Sequence, residues 1–332
     1  MKKYSRIAAL LMSFLLLLGL TACSASDGGA KYTVGICQLV QHEALDAATQ
    51  GFMDTLSEKL GAENVRFELQ NAQGDSNNCI TIINGFVAGN VDLIVANATS
   101  ALQAAAAGTS TIPILGTSVT DYTAALEIET WDGIVGGNIS GTSDLAPLDD
   151  QAAMIKELFP EAGTVGMLYC SAEANSVYQV NIVRAELEKM GYTCENFAFT
   201  DSNDAAFVAQ TACDESDVIF IPTDNTVASN IELIANVILP AGKPVVGGDA
   251  GICGGTGVAT LYVDYYDLGV ATAEMAYDIL VGGKDVGTMP IRFAAASGKE
   301  YNPDTCEQLG ITVPADYVPL SETNFREEPN WN

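Results

Sequence analysis

The chain has 332 residues and carries 42 Asp and Glu against 14 Lys and Arg, a formal net charge of −28. Apolar residues make up 48% of it, enough for two packed domains and too many for a chain that stays disordered. So acidic a surface repels phosphate backbones and anionic lipid headgroups, which excludes nucleic acid as a partner. The single histidine, His42, rules out a multi-histidine metal site and leaves a Ser-His-Asp triad one possible centre. No metal and no cofactor is expected.

Residues 1–22 read as a processing signal. Lys2, Lys3 and Arg6 form a basic start, and residues 7–20 are an uncharged, apolar run with Ser13 as its one polar residue, of signal-core length and too short for a comfortable membrane span. Leu20-Thr21-Ala22-Cys23 follows and resembles the lipobox of bacterial lipoproteins, which implies cleavage before Cys23 and lipid on its sulfur. Cleavage there removes three positive charges and no negative one, taking −28 to about −31. Residues 23–32 then form a small, polar tether. The expected location is extracytoplasmic, held to the bacterial cell membrane through the lipid alone. Seven further cysteines remain and no CxxC occurs, which argues against zinc or a redox dithiol. Several of these seven fall in strands or on apolar helix faces, where cysteine acts as a small hydrophobe.

The body opens with a strand at Thr33–Cys37 and a helix with Leu45, Ala48, Phe52, Leu56 and Leu60 on one face, stopped by Gly61. A strand at Val65–Leu69, a helix from Ser76 to Ala88, a strand at Val91–Ala96, a helix from Ser100 to Ala107 and a strand at Ile112–Leu115 follow. The pattern restarts with a helix at Pro147–Phe159, proline in its first turn, then a strand at Thr164–Tyr169 and a helix at Asn175–Met190. Next come a strand at Thr193–Phe199, a helix at Asp204–Cys213, a strand at Asp217–Ile221, a helix at Thr226–Leu239 and a strand at Pro244–Val246. Segments 137–143 and about 254–262 are expected to carry the chain between two lobes, and a helix at Tyr265–Leu280 to return to the first. From Arg292 the chain reads as irregular apart from a turn at Pro303–Leu309, and from Asn324 as a loose surface tail.

Alternation of this kind means parallel strands with crossover helices: an α/β protein of two similar, doubly wound lobes joined by a multi-strand hinge. Direct overlay supports a duplication. Val34-Gly35-Ile36 matches Val165-Gly166-Met167, and Ile112–Gly116 matches Lys243–Gly247, both at an offset of 131. The expected division is 33–139 with about 259–292 for the first lobe, and 140–258 with about 293–325 for the second lobe and hinge.

Ligands of open α/β sheets sit beyond the carboxyl ends of the strands, so two facing lobes offer six loops to one cleft. Those loops are rich in hydroxyls and amides, Gln38, Thr99, Ser100, Thr117, Ser118 and Thr120 in the first half, Asn175, Ser176, Thr223 and Asn225 in the second, and His42 and Val119 are further candidates for ligand contact. Several stand at helix N-termini, where free N–H groups favour a carboxylate. Asp121, Glu173, Asp224 and Asp249 are acids of these loops, one of which suits an ammonium, and Asp144 is a further candidate for ligand contact. The Asn97–Ser100 loop opens a helix without an acid in its first turn and suits the carboxylate; Asp224 and Asp249 suit the ammonium. Each of these residues, taken singly, serves equally well as a helix cap or turn residue. Phosphate-loop, zincin and nucleophile-elbow motifs are missing from the sequence. A Cys37 or Cys170 nucleophile beside His42 is the remaining enzymatic pattern, and packing is the better reading of those cysteines.

The stretches VGICQLVQHEALDAATQGF (34–52), NAQGD (71–75), VDLIVANATSALQAA (91–105), SGTSDLAPLDDQ (140–151), VGMLYCSAEANSVYQV (165–180), IPTDNTVAS (221–229) and VDYYDLG (263–269) resemble substrate-binding lipoproteins of ABC importers. The group is the one associated with tryptophan and other aromatic amino acids. The resemblance implies the type I periplasmic-binding-protein fold with three hinge crossings, and hinge closure on a small ligand, favouring an aromatic amino acid. It also implies delivery to ABC permease subunits, no reaction on this chain, and a monomer. Cys37, Gln41 and Gly248–Gly251 depart from the group's pattern. A sugar or nucleoside ligand, or an exported amino-acid-processing enzyme, are the competing readings.

Overall fold

A computed structural model of the chain describes residues 30–294 and 296–320. The expected signal segment, Cys23, nearly all of the tether and the surface tail lie outside the described residues. The first sheet holds β1 (Tyr32–Gln38), β2 (Val65–Asn71), β3 (Leu93–Asn97), β4 (Ile114–Thr117), β5 (Ile139–Ser143) and β11 (Arg292–Phe293), in the order β2-β1-β3-β4-β5-β11. The second holds β6 (Thr164–Cys170), β7 (Thr193–Phe199), β8 (Val218–Ile221), β9 (Val245–Gly247), β10 (Ala259–Val263), β12 (Ala296–Tyr301) and β13 (Val318–Pro319), in the order β7-β6-β8-β9-β10-β12-β13. The first five strands of each half thus occupy equivalent places, as the overlay anticipates.

Helices α1 (Glu43–Leu60), α2 (Ser76–Gly89), α3 (Thr99–Gly108) and α4 (Tyr122–Leu126) cover the first sheet. Its central strands β1 and β3 are covered on both faces and run largely apolar, whereas the edge strand β2 (VRFELQN) is only partly buried. Alternation along β1 sends Val34 and Ile36 to a core with Phe52 and Leu56 of α1, and Cys37 to a core with Ile83 and Phe86 of α2. In the second lobe, α5 (Leu148–Leu158) and α6 (Ala174–Lys189) cover one face, α7 (Ser202–Glu215) and α9 (Ile231–Ala241) the other. α11 (Tyr265–Leu280) packs on α1 of the first lobe at backbone contact. A Cβ on Gly51 would lie 2.2 Å from the Tyr266 carbonyl oxygen, and one on Gly269 2.1 Å from that of Ala48.

Several expectations are corrected here. Segment 137–143 is not a crossing: Ile139–Ser143 is a fully buried strand between β4 and β11. Segment 254–262 is the end of helix α10 (Ala250–Thr256) and most of β10, which pairs with β9 in the second sheet. The first-lobe boundaries at 139 and 259 therefore move to the ends of β5 and β10. The chain crosses after Ser143, after Val263 and after Phe293. Beyond Arg292 the chain is not irregular, because β12 adds antiparallel to β10 with a bulge at Tyr262/Val263. The helix expected over Thr226–Leu239 is two helices, α8 (Asn225–Ser229) and α9. Asn230 leaves helical geometry (φ −121°, ψ 25°) and its Nδ2 donates to the Thr226 carbonyl. Helix α12 (Pro303–Leu309) and the tyrosine-led α11 stand where expected.

Candidate functional site

The strand order fixes where each loop lies. Loops after β1, β2, β6 and β7 meet at the outer edge of the interface, those after β3, β4 and β8 at its middle, those after β5, β9 and β10 at the hinge. The outer edge encloses a cavity of about 500 Å³ between Leu39, Val40, Gln73 and Ser100 of the first lobe and Glu173, Thr226 and their neighbours of the second. At the middle, His42, the N-terminal flank of α1, reaches across the lobes. Its Nε2 lies 3.1 Å from Asn225 Oδ1. Asn225 turns its Nδ2 to Glu173 (2.7 Å), so Oδ1 faces His42 and the imidazole is the donor. Burial holds the His42 pKa below its usual value, against the opposing effects of Asn225 and Glu173.

Glu173 is saturated. Its carboxylate accepts from the backbone N–H and side chain of both Asn225 and Thr226, at 2.7–3.1 Å, and from Asn175 Nδ2 at 3.2 Å. Asn175 Nδ2 also donates to the Thr223 carbonyl, and Thr223 Oγ1 to that of Gly248. Asp224 caps α8 through Val227 N–H (2.8 Å) and accepts Cys170 N–H (2.7 Å), with Ser176 as a further donor. Burial, then the Glu173 charge, pushes Asp224 well above the carboxylate range.

Other candidates are likewise committed inward. Gln38 donates to Asp46 (2.5 Å) and the Val40 carbonyl, and accepts Thr49 Oγ1 (2.7 Å), pinning α1 to the end of β1. Thr117 Oγ1 accepts from Thr142 and Thr272, and Val119 is fully buried in the core. Asp121 caps α4 through Ala124 N–H and accepts Thr123 Oγ1.

A second group is left open. Ala98, before α3, has φ +90° and gives no side-chain cap, so the first-turn N–H groups at Thr99–Ala101 end uncapped. Ser118, after β4, is also left-handed (φ +52°), and its buried Oγ has no partner. Such strain in a non-glycine residue persists only where the surroundings impose it, as they do at sites. Asp144, just after β5, is 4% exposed. Tyr265 donates to its Oδ2 at 2.7 Å and Thr120 also helps hold it, while Oδ1 is unpartnered. Burial raises the Asp144 pKa, and Tyr265 and Thr120 lower it. Across the interface Asp249 caps α10 through Ile252 N–H (2.9 Å) and is pushed up to about 6, by burial first and by the Asp144 charge among the rest. Glu43 of α1 stands beside it, pushed up to about 7 by burial and by the Asp249 charge. A Cβ on Gly251 would lie 3.4 Å from Asp249 Oδ1 and 3.5 Å from Glu43 Oε2. No ion pair among the described residues involves these three acids.

Sequence reasoning gave no role to Tyr265, Glu43 or Gln151, whose buried Oε1 is unpartnered near Gly248. Their only signal is membership of motif stretches, DYYDLG above all.

Two Rossmann-like lobes, three crossings and a polar cleft between strand ends are the architecture of the type I periplasmic-binding fold. The chain matches the family model of ABC transporter substrate binding proteins over residues 33–321, and belongs to that family. It is 31% identical over 306 residues to the tyrosine-binding protein of Clostridioides difficile (strain R20291), covering 88% of each chain. It is similar to an ABC domain from Streptococcus pneumoniae crystallised with L-Trp: 32% identity, 86% of this chain and 97% of that one, TM-score 0.82. A ligand-free, open substrate-binding protein with adhesive properties from Clostridium difficile shares 34% identity over 87% of this chain and 99% of that one, at a TM-score of only 0.65. Membership makes a small-molecule ligand and a membrane permease its partners. Among the described residues no helix is long and apolar enough to cross a membrane.

Proposed function

We propose that the protein captures one aromatic amino acid between its lobes for import, binding it as a zwitterion and without chemical turnover. The ammonium lies between Asp144 and Asp249, and the carboxylate at the Thr99–Ala101 N–H groups and Ser118 Oγ. The observation that carries this reading is Asp144. A buried carboxylate with one oxygen unpartnered, facing a second buried acid, is costly until a cation joins it. Uncapped helix N–H groups ask for an anion in the same way. Amino-acid zwitterions supply both charges a few ångströms apart. The aromatic side chain is argued from the tyrosine- and tryptophan-binding relatives. Binding without turnover is supported by His42, whose ring contacts Asn225 rather than a cysteine thiol. Anchoring through lipid on Cys23, and action as a monomer, complete the proposal.

Calorimetric titration with tryptophan, tyrosine, phenylalanine and the non-aromatic amino acids tests it. At least one aromatic ligand should bind tightly, and unchanged on recovery. Asp144→Asn and Asp249→Asn should each lose about 2–5 kcal/mol toward it. Their loss toward the deaminated acid should be far smaller. Binding of sugars or nucleosides alone overturns the ligand class; equal losses toward both ligands overturn the ammonium position.

A further inference from the structure

Seven cysteines lie within the described residues, all buried and unbridged. Three lean on backbone carbonyls: Cys170 on Thr200 (3.6 Å), Cys194 on Arg184 (4.0 Å) and Cys306 on Val258 (3.7 Å). Cys37 and Cys79 instead lie in one buried cluster with Ile83 and Phe86, near enough that each shifts the titration of the other. Neither is exposed at all. The fold explains why they meet. As a crossover helix, α2 runs antiparallel to β1 on one face of the sheet. Gly35 faces Phe86 so closely that a Cβ there would lie 2.6 Å from the ring. Two residues on along β1 comes Cys37, on the same face; two turns back along α2 from Phe86 comes Cys79, on the same stripe. The two thiols are opposed by register.

We propose that Cys37 and Cys79 are a disulfide-forming pair, oxidised outside the cytoplasm to a bond between the end of β1 and the first turn of α2. Each sulfur loses its proton and the pair gives up two electrons to a disulfide oxidant, which becomes two thiols. One cysteine thiolate attacks the oxidant and forms a mixed disulfide; the other displaces the second thiolate from it. The exchange occurs as α2 docks or as its first turn opens, since residues 73–78 around that turn are exposed. The bond would fix one lip of the cleft. Ala72 N–H already donates to the Gln38 carbonyl (2.9 Å) and Gly74 N–H to that of Leu39 (2.8 Å), and Leu39, Val40 and Gly74 line the outer cavity.

The test is peptide mapping of the purified protein, refolded from denaturant in a glutathione buffer poised at about −180 mV and alkylated under denaturing conditions. The peptides of Cys37 and Cys79 should appear joined, lighter by two hydrogens, with the other five cysteines alkylated. A closed loop of about 42 residues should raise the melting temperature above that of the reduced protein by about 5–10 °C. That shift should vanish in Cys79→Ser and persist in Cys194→Ser. If the Cys79 variant fails to fold, the map of the unmodified sequence decides alone. Separate alkylation of Cys37 and Cys79, or a link from either to another cysteine, overturns the proposal.

Discussion

The two lobes share a topology but finish their strand ends differently. In the second lobe the rim is closed on itself: Glu173 accepts five hydrogen bonds and Asp224 at least two. In the first lobe it is left incomplete at Ala98, Ser118 and, beside the hinge, Asp144. Around Glu173 and Asp224 the second-lobe rim presents a fixed wall, since those buried acids already have their partners, and Gln151 Oε1 near Gly248 is an open acceptor in it. An incomplete rim is unstable by itself and gains from whatever supplies the missing charge and hydrogen bonds. The difference assigns the recognition of charge mainly to the first lobe and the hinge, and the shape of the wall to the second.

The sharpest way to break that contrast is Glu173→Gln. The new amide would turn donors toward the donors of Asn225 or Thr226. We expect about 3–5 kcal/mol loss of folding stability by denaturant titration. The His42–Asn225 bridge should fail with it. Unchanged stability would show that the second rim is no more committed than the first.

The acids at the hinge give a pH signature. Asp249 and Glu43 are raised in the folded protein to about 6 and about 7, from 3.8 and 4.5. A carboxyl raised on folding adds stability that is full below its unfolded pKa and lost as pH rises through its folded one. The unliganded protein should therefore lose stability between pH 4 and 7, by about 2–3 kcal/mol for Asp249. A bound ammonium favours the ionised form, so ligand should flatten the slope in thermal melts. A slope that ligand leaves unaltered would remove the ammonium from this place.

The smallest effect expected is at Ser118. Ser118→Gly should stabilise the free protein by about 1 kcal/mol by relieving its left-handed backbone. It should weaken the ligand by about 0.5–1.5 kcal/mol through the lost hydroxyl. A variant that gains stability and keeps full affinity would make that strain incidental to binding.

Much of the fold was legible because its signals are local. Helix faces repeat every three to four residues, strands run apolar, and Gly61 and Pro147 punctuate the chain; β7 and α11 fall at the expected residues. The short strand β5 and the return strand β12 were not, because their partners β4, β11 and β10 are distant in sequence and nothing local distinguishes them from loops.

By itself the sequence determined a doubled α/β chain, loops of hydroxyls, amides and acids at strand ends, and one histidine among them. Only the tertiary structure decided which of those groups are already occupied. Glu173 meets Asn225 across 52 residues, Gln38 meets Thr49 across a helix end, and Asp144 meets Tyr265 across 121 residues. A side chain's type fixes how many hydrogen bonds it can make. Whether any of them remains for a ligand depends on neighbours that only folding brings within 3 Å.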